Sequence, residues 1–304
     1  MPFVWLNGNF VDESAASIPL RDSGLLHGAG VFTTMRSHAG RVFRLREHLK
    51  RLRDSCEALF IPLQFSDELL VSAVEELLKR DGPGDARLRL TVTRGTSSID
   101  PLHGVRLEPS AFLSAAPVEP YPREFYDRGM TVILMDEHKL NPYDLMAGHK
   151  TLNYFARLHA LRDANKLGAG EALWFDVHHY LQSGSISNAF IAKDGELFTP
   201  PTPRELREVL PPDALPYAKS CVLPGITRAA VIELARDAGI DVHLSAIDLR
   251  TLLGADELFL TNSIMQVMPV CRIERKAIGA DEPGPITRRL SELLTAAIAR
   301  ETAA

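Results

Sequence analysis

Lys150 sits in His149-Lys150-Thr151-Leu152-Asn153-Tyr154, a run that opens a stretch with helical spacing of apolar residues. A primary amine does covalent work only against a carbonyl, so this lysine needs an aldehyde partner. Downstream lie Ser183-Gly184-Ser185-Ile186-Ser187-Asn188, then Leu223-Pro224-Gly225-Ile226-Thr227-Arg228, where a second helix is expected to open, and Thr261-Asn262-Ser263-Ile264-Met265 after an apolar strand. Turns of Gly, Ser and Thr offer backbone N–H groups and hydroxyls, and a helix N-terminus adds its dipole; both attract phosphate. The lysine and the two turns together point to an aldehyde that carries a phosphate, which is pyridoxal phosphate. Buried beside it, the amine of Lys150 loses charge by desolvation and serves as both imine former and proton shuttle.

Each of these residues has a plainer reading when taken alone. A lysine near a helix start is ordinarily solvated, Gly225 with Thr227 is an ordinary helix cap, and Asn262-Ser263 is an ordinary turn. Arg51, in Glu47-His48-Leu49-Lys50-Arg51-Leu52, borders the apolar stripe of a long helix, so its guanidinium can turn inward to a phosphate. The formal net charge of -5 gives no long-range attraction to nucleic acid or to an anionic membrane, which favours a small-molecule amino substrate. Three scattered cysteines, Cys56, Cys221 and Cys271, build neither a disulfide framework nor a metal cluster, and no metal is expected. Buried thiols in a reducing compartment and a start without a basic, apolar leader are expected of a cytoplasmic protein.

Asn7-Gly8 between Phe3–Leu6 and Phe10–Val11 predicts an opening hairpin. Val31 to Arg36 and Val42 to Arg44 predict a second one about Ala39-Gly40-Arg41. Helical spacing marks Leu45 to Leu59 and Glu68 to Leu78, and Leu88-Leu90-Val92 alternates as a strand that ends at Arg94-Gly95-Thr96-Ser97. Three prolines between Ala115 and Pro122 break both kinds of element. We therefore expect an α/β (α+β) chain of two domains: 1–116, a linker 117–124, and a larger domain 125–304. The second half reads as a strand at Thr131–Met135, a helix from Lys150, two strands about Asp176–Tyr180, a Pro-rich loop from Pro200 to Pro216, a helix from Ile226, and a strand at Glu257–Thr261.

In this order the motifs resemble the fold-type IV pyridoxal-phosphate enzymes, the family of branched-chain aminotransferases, D-amino acid aminotransferases and aminodeoxychorismate lyases. The resemblance runs through Gly30-Val31-Phe32, Val42 to Leu52, Lys150 to Tyr154, Gly170-Glu171-Ala172-Leu173, Ser187-Asn188-Ala189-Phe190, Pro224 to Arg228 and Pro269-Val270. It implies a small N-terminal α/β domain, a larger α/β pseudo-barrel domain and a homodimer. It also implies that Lys150 is the Schiff-base lysine and that Arg51, Ile226, Thr227 and Ser263 bind phosphate, with Gly225 and Asn262 beside them. Tyr154 then meets the cofactor's phenolic oxygen.

One position departs from the pattern. Where the family has a glutamate facing the pyridine nitrogen, this sequence has Ser183. Gln182 is adjacent, but neighbouring side chains on a strand face opposite ways, so it substitutes only through a bulge. A carboxylate keeps that nitrogen protonated by charge; a hydroxyl offers only a hydrogen bond, which should harm amino-group exchange more than elimination. Ala29 replaces a common aspartate, and Ile99 and Pro101 stand where the D-amino acid enzymes have an Arg-x-His carboxylate trap. Val31-Phe32-Thr33-Thr34-Met35-Arg36 and Asn262 to Val270 resemble the aminodeoxychorismate lyases. The resemblance thus implies a lyase that releases pyruvate and forms 4-aminobenzoate for folate biosynthesis, with Thr33 or Thr34 orienting the departing enolpyruvyl group. The alternatives are an aminotransferase of branched-chain or related amino acids, or a family member altered in catalysis by Ser183.

Overall fold

A computed structural model describes residues 2–81, 84–100, 104–211 and 219–303. The chain divides into two compact units: Met1–Glu119 with His149–Asn153 and Ile298–Ala304, and Pro120–Gly148 with Tyr154–Ala297.

The first unit holds β1 (Phe3–Leu6), β2 (Asn9–Asp12), α1 (Ser23–His27), β3 (Gly30–His38), β4 (Arg41–Val42), α2 (Leu45–Ala58), α3 (Asp67–Asp81), β5 (Ala86–Thr93), β6 (Thr96–Asp100), β7 (Gly104–Glu108) and β8 (Ala111–Pro117). Its main sheet runs β2-β1-β8-β5-β3-β4 and is antiparallel throughout. Asn7 and Gly8 turn the first hairpin with φ of 47° and 96°, the left-handed pair that a two-residue hairpin requires. Along α2 the buried residues are His48, Leu49, Leu52, Ser55 and Cys56, three and four apart, so one stripe of the helix faces inward. The leucines and Cys56 of that stripe share a core with Val31 and Met35 of β3 and with Leu70, Val74 and Leu77 of α3.

Residues 150–152 lie along β3 in this unit. Phe32 N donates to Lys150 O and Leu152 N to Gly30 O, each at 2.9 Å. Gly30 makes the approach possible, since a Cβ there would stand 2.7 Å from Leu152 Cδ1 and 2.8 Å from Val92 O. This corrects one expectation. The helix predicted from Lys150 begins only at Phe155, because the backbone of Lys150 to Leu152 is already paired with a strand. The strand Leu88-Leu90-Val92 ends at Thr93, before Arg94-Gly95 as expected, and a separate hairpin β6–β7 follows, which carries an exposed Ile99; Pro101 lies outside the described residues.

The second unit holds α4 (Arg123–Arg128), β9 (Met130–Leu140), α5 (Phe155–Lys166), β10 (Glu171–Asp176), β11 (Leu181–Gly184), β12 (Asn188–Lys193), β13 (Glu196–Thr199), α6 (Pro203–Val209), α7 (Ile226–Asp237), β14 (Val242–Leu244), α8 (Leu249–Leu253), β15 (Glu257–Asn262), β16 (Gln266–Ile273), β17 (Lys276–Ala277) and most of α9 (Pro285–Thr302). Its mixed sheet runs β11-β10-β9-β16-β15-β12-β13-β14, with β17 on β16. Phe190 and Phe259 are cross-strand partners stacked at 4.9 Å, a contact worth about 0.5–1.5 kcal/mol beyond burial. That pairing sets the register that places Asn188 opposite Thr261. The Pro-rich stretch expected to be all loop contains α6, started by a capping box between Thr202 and Glu205; residues 212–218 lie outside the described residues. Among the described residues, no helix is long and apolar enough to cross a membrane.

Candidate active site

In the first unit the chemistry gathers on both faces of β3. Arg51 Nη2 donates to Thr33 Oγ1 at 3.0 Å, and that oxygen lies 2.8 Å from His48 Nδ1. An arginine only donates, so Thr33 Oγ1 accepts from Arg51, and the imidazole tautomer sets which way the bond to His48 Nδ1 runs. The imidazole is 2% exposed. Its pKa lies well below 6.5, because burial disfavours the cation and Arg51 and Lys150 add like charge. Burial and the two neighbouring cations thus favour the neutral imidazole.

Thr33 spends its hydroxyl inside this network. Thr34 points to the other side of β3, where Phe32 also points. Lys150 Nζ lies 4.8 Å from the centroid of the Phe32 ring, and Arg89 Cζ lies 3.5 Å from it. Arg89 Nε is steadied by Thr91 Oγ1 at 3.2 Å. An amine and a guanidinium on one aromatic ring can together hold a carboxylate. The segment that carries Lys150 is tied to α2 by His149 Nδ1 and Ser55 Oγ, 3.0 Å apart.

In the second unit α7 begins with Gly225 as N-cap and no side chain capping it, so the positive end of its dipole is not met by a capping side chain. A side chain at Gly225 is excluded: a Cβ would stand 2.0 Å from Asn188 Oδ1, while Asn188 Nδ2 holds Leu223 O at 2.9 Å. Thr227, in the first turn, is buried, and Arg228 turns away to Glu205 at 2.8 and 2.9 Å. Asn188 and Thr261 are cross-strand partners and share a face of the sheet. On that face Thr261 Oγ1 is buried with no hydrogen-bond partner among the described residues, which costs about 1–3 kcal/mol unless a ligand or water meets it. In the next turn Asn262 Oδ1 accepts from Ile264 N and Met265 N at 2.8 Å, and Nδ2 donates to Ile186 O at 3.3 Å. Asn262 therefore shapes the turn that carries Ser263. An uncapped helix start, an orphaned hydroxyl and a hydroxyl-bearing turn fit a phosphate.

Ser183 is buried near this cradle's strand β12, on β11. Arg157 of α5 places Nη1 at 3.2 Å from Ser183 Oγ, 3.0 Å from Gly184 O and 3.2 Å from Ser185 O. The same guanidinium lies over the rings of Tyr154 at 6.0 Å and Trp174 at 5.6 Å. The bulge that Gln182 would need does occur, between Trp174 and Phe175. Its amide is nevertheless engaged elsewhere, donating to Asp176 Oδ2 at 2.9 Å and accepting from Cys221 N at 3.0 Å. Glu171, buried under the following loop, accepts from Ser185 N at 2.8 Å and Ser187 Oγ at 3.1 Å, and burial raises its pKa. The cysteines are buried and free, with thiols pushed up to about 12, 12 and 11 by burial, so none is a ready nucleophile.

Sequence reasoning missed His48, Arg89 and Arg157. His48 carried a usable signal, because it lies on the same stripe of α2 as Leu49, Leu52 and Cys56. Arg89 and Arg157 carried none, since an arginine in an alternating strand or on a helix is ordinarily solvated.

The chain belongs to the class IV amino-transferases, whose family profile matches residues 30–273. It is 36% identical over 293 residues to a putative branched-chain-amino-acid aminotransferase of Methanocaldococcus jannaschii, covering 95% of this chain and 94% of that protein. The branched-chain amino acid aminotransferase of Escherichia coli superposes with a TM-score of 0.86 at 27% identity, over 99% of this chain and 96% of that one. The 4-amino-4-deoxychorismate lyase of Pseudomonas aeruginosa superposes with a TM-score of 0.79 at 28% identity, over 96% of this chain and 98% of that one. The family uses pyridoxal phosphate, and a solved branched-chain aminotransferase in this group carries pyridoxamine 5'-phosphate. This chain is a pyridoxal-phosphate enzyme of that class.

Proposed function

We propose that the enzyme is a lyase resembling 4-amino-4-deoxychorismate lyase, releasing pyruvate and forming 4-aminobenzoate. The observation that carries the reading is Ser183: a hydroxyl bound by Arg157 stands where the resemblance expects a carboxylate at the cofactor's ring nitrogen. Bound pyridoxal phosphate supplies covalent attachment for the substrate amine and an electron sink for the carbon beside it. Lys150 provides the attachment point, takes the proton from the substrate carbon bearing nitrogen, and returns a proton as the enolpyruvyl group departs. Phosphate is held by Arg51, by the N–H groups of Ile226 and Thr227 after Gly225, and by Ser263. Tyr154 meets the phenolic oxygen. Thr34, on the face of Phe32, orients the departing group, while Thr33 fixes the direction of Arg51. A homodimer in the cytoplasm belongs to the same proposal.

A second reading is an aminotransferase of branched-chain or related amino acids, favoured by the Methanocaldococcus jannaschii and Escherichia coli relatives. Pyruvate release from aminodeoxychorismate without an added keto acid separates the two. Obligatory dependence on a keto acid returns the second reading to first place.

A further inference from the structure

We infer that Arg157 is a positioning residue that keeps the ring nitrogen of the bound cofactor unprotonated; this rests on the proposed placement of Ser183 at that nitrogen. A serine hydroxyl has one hydrogen and two lone pairs. Arg157 Nη1 donates into a lone pair of Ser183, so the hydroxyl hydrogen is directed to the next acceptor. An unprotonated ring nitrogen is such an acceptor, whereas a protonated one would have to use the one remaining lone pair and leave the hydroxyl hydrogen to turn elsewhere. The charge acts in the same direction, because a cation one hydrogen bond beyond the hydroxyl disfavours a second positive charge.

The surroundings of Arg157 support this assignment. The loop from Ser183 to Asn188 is bound at its far end to both candidate phosphate turns, through Asn188 to Leu223 and through Ile186 to Asn262. A ring whose phosphate occupied those turns would have this loop beside it, with Ser183 at the loop's other end. The guanidinium is fixed there by three oxygens and two aromatic rings, and no carboxylate among the described residues forms an ion pair with it. The nearest acidic groups are bonded to partners other than Arg157, and Asp144 lies with Asp176 and Arg157 among the charges around Cys221. Asp176 is taken by Gln182 Nε2 and by the N–H groups of His178 and Tyr180, and Glu171 is taken by Ser185, Ile186 and Ser187, with burial raising its pKa. The Cys221 thiol is pushed up to about 12 and stays neutral.

The test uses the full-length protein loaded with pyridoxal phosphate carrying nitrogen-15 in its ring, read by nitrogen NMR as pH falls from mildly alkaline to mildly acid. The unmodified protein should give the unprotonated signal at neutral pH. Arg157→Met, which keeps the stem and removes the charge, should raise the protonation midpoint by about 1–3 pH units. Arg157→Gln, which keeps a donor for Ser183, should raise it as well, and Arg157→Lys should leave it near the unmodified value. A protonated signal in the unmodified protein, or the same midpoint in the Met and Gln variants as in the unmodified protein, overturns the role of Arg157 while the cofactor remains covalently bound. Loss of a covalent cofactor band in the unmodified protein overturns the site reading beneath it instead.

Discussion

The lysine cluster on β3 and the anion cradle at the start of α7 use opposite materials. The first is made of long side chains from distant positions, with Arg51, Thr33 and His48 linked by hydrogen bonds of 3.0 and 2.8 Å and Lys150 and Arg89 on one phenylalanine. The second is made of backbone and small residues, where Gly225 cannot bear a side chain and Thr261 keeps a buried hydroxyl with no partner among the described residues. Covalent chemistry needs a particular atom, so it depends on side-chain identity. Phosphate binding needs N–H groups, so it depends on backbone shape. Substitutions should separate the two regions: those in the first change chemistry and charge, and those in the second change cofactor retention and packing.

The largest effect is expected at Lys150. Lys150→Ala should abolish the borohydride-sensitive cofactor band while shifting the melting temperature little, because the side chain is half-buried and its segment is held by backbone bonds to β3. Retention of full activity would remove this lysine from the chemistry. Gly225→Ala should come next. Its Cβ would meet Asn188 Oδ1 at 2.0 Å, so the α7 start must shift, costing about 1–3 kcal/mol in thermal or denaturant unfolding and loosening the cofactor. An alanine variant that binds and unfolds like the unmodified protein would break the picture of a backbone cradle.

Arg51→Ala should weaken cofactor affinity by about 1.5–3 kcal/mol, the usual scale of a hydrogen bond to a charged group. It should also free Thr33, so direct titration of the cofactor is the measurement, and an unchanged dissociation constant would remove Arg51 from phosphate binding. The smallest effect concerns His48 and pH. Its folded pKa is depressed below 6.5, so below that pH the unfolded chain takes up a proton that the folded chain refuses. Stability from this group is complete above 6.5 and is lost as pH falls toward the folded value. His38 and His149 are shifted the same way, chiefly by burial, so the readout is the difference between the unmodified protein and His48→Gln. The variant should lose less stability over that range; identical curves would contradict a buried neutral imidazole.

The two regions were also unequally legible in the sequence. Lys150, Arg51 and the Gly225-Ile226-Thr227 turn could be found because a lone lysine, an arginine beside an apolar stripe and a glycine before a helix each carry a local physical reason. The element holding Lys150 was misread, because pairing with β3 is a long-range event that local spacing does not encode. The hairpin β6–β7 and the helix α6 escaped for a related reason: short elements among turn residues leave too few positions for a period to show. Arg157 could not be found at all. Its meaning comes from Ser183, 26 positions away, and from two rings that only the folded chain brings to it.

The most direct test of the account measures elimination against amino-group exchange, in the unmodified protein and in Ser183→Glu. Pyruvate release should dominate in the unmodified protein. Ser183→Glu should move the ratio toward exchange, because a carboxylate offsets Arg157 and favours a protonated ring nitrogen. An unmodified protein that exchanges amino groups with common amino acids at ordinary enzyme rates, ~1–10³ per second, would contradict it.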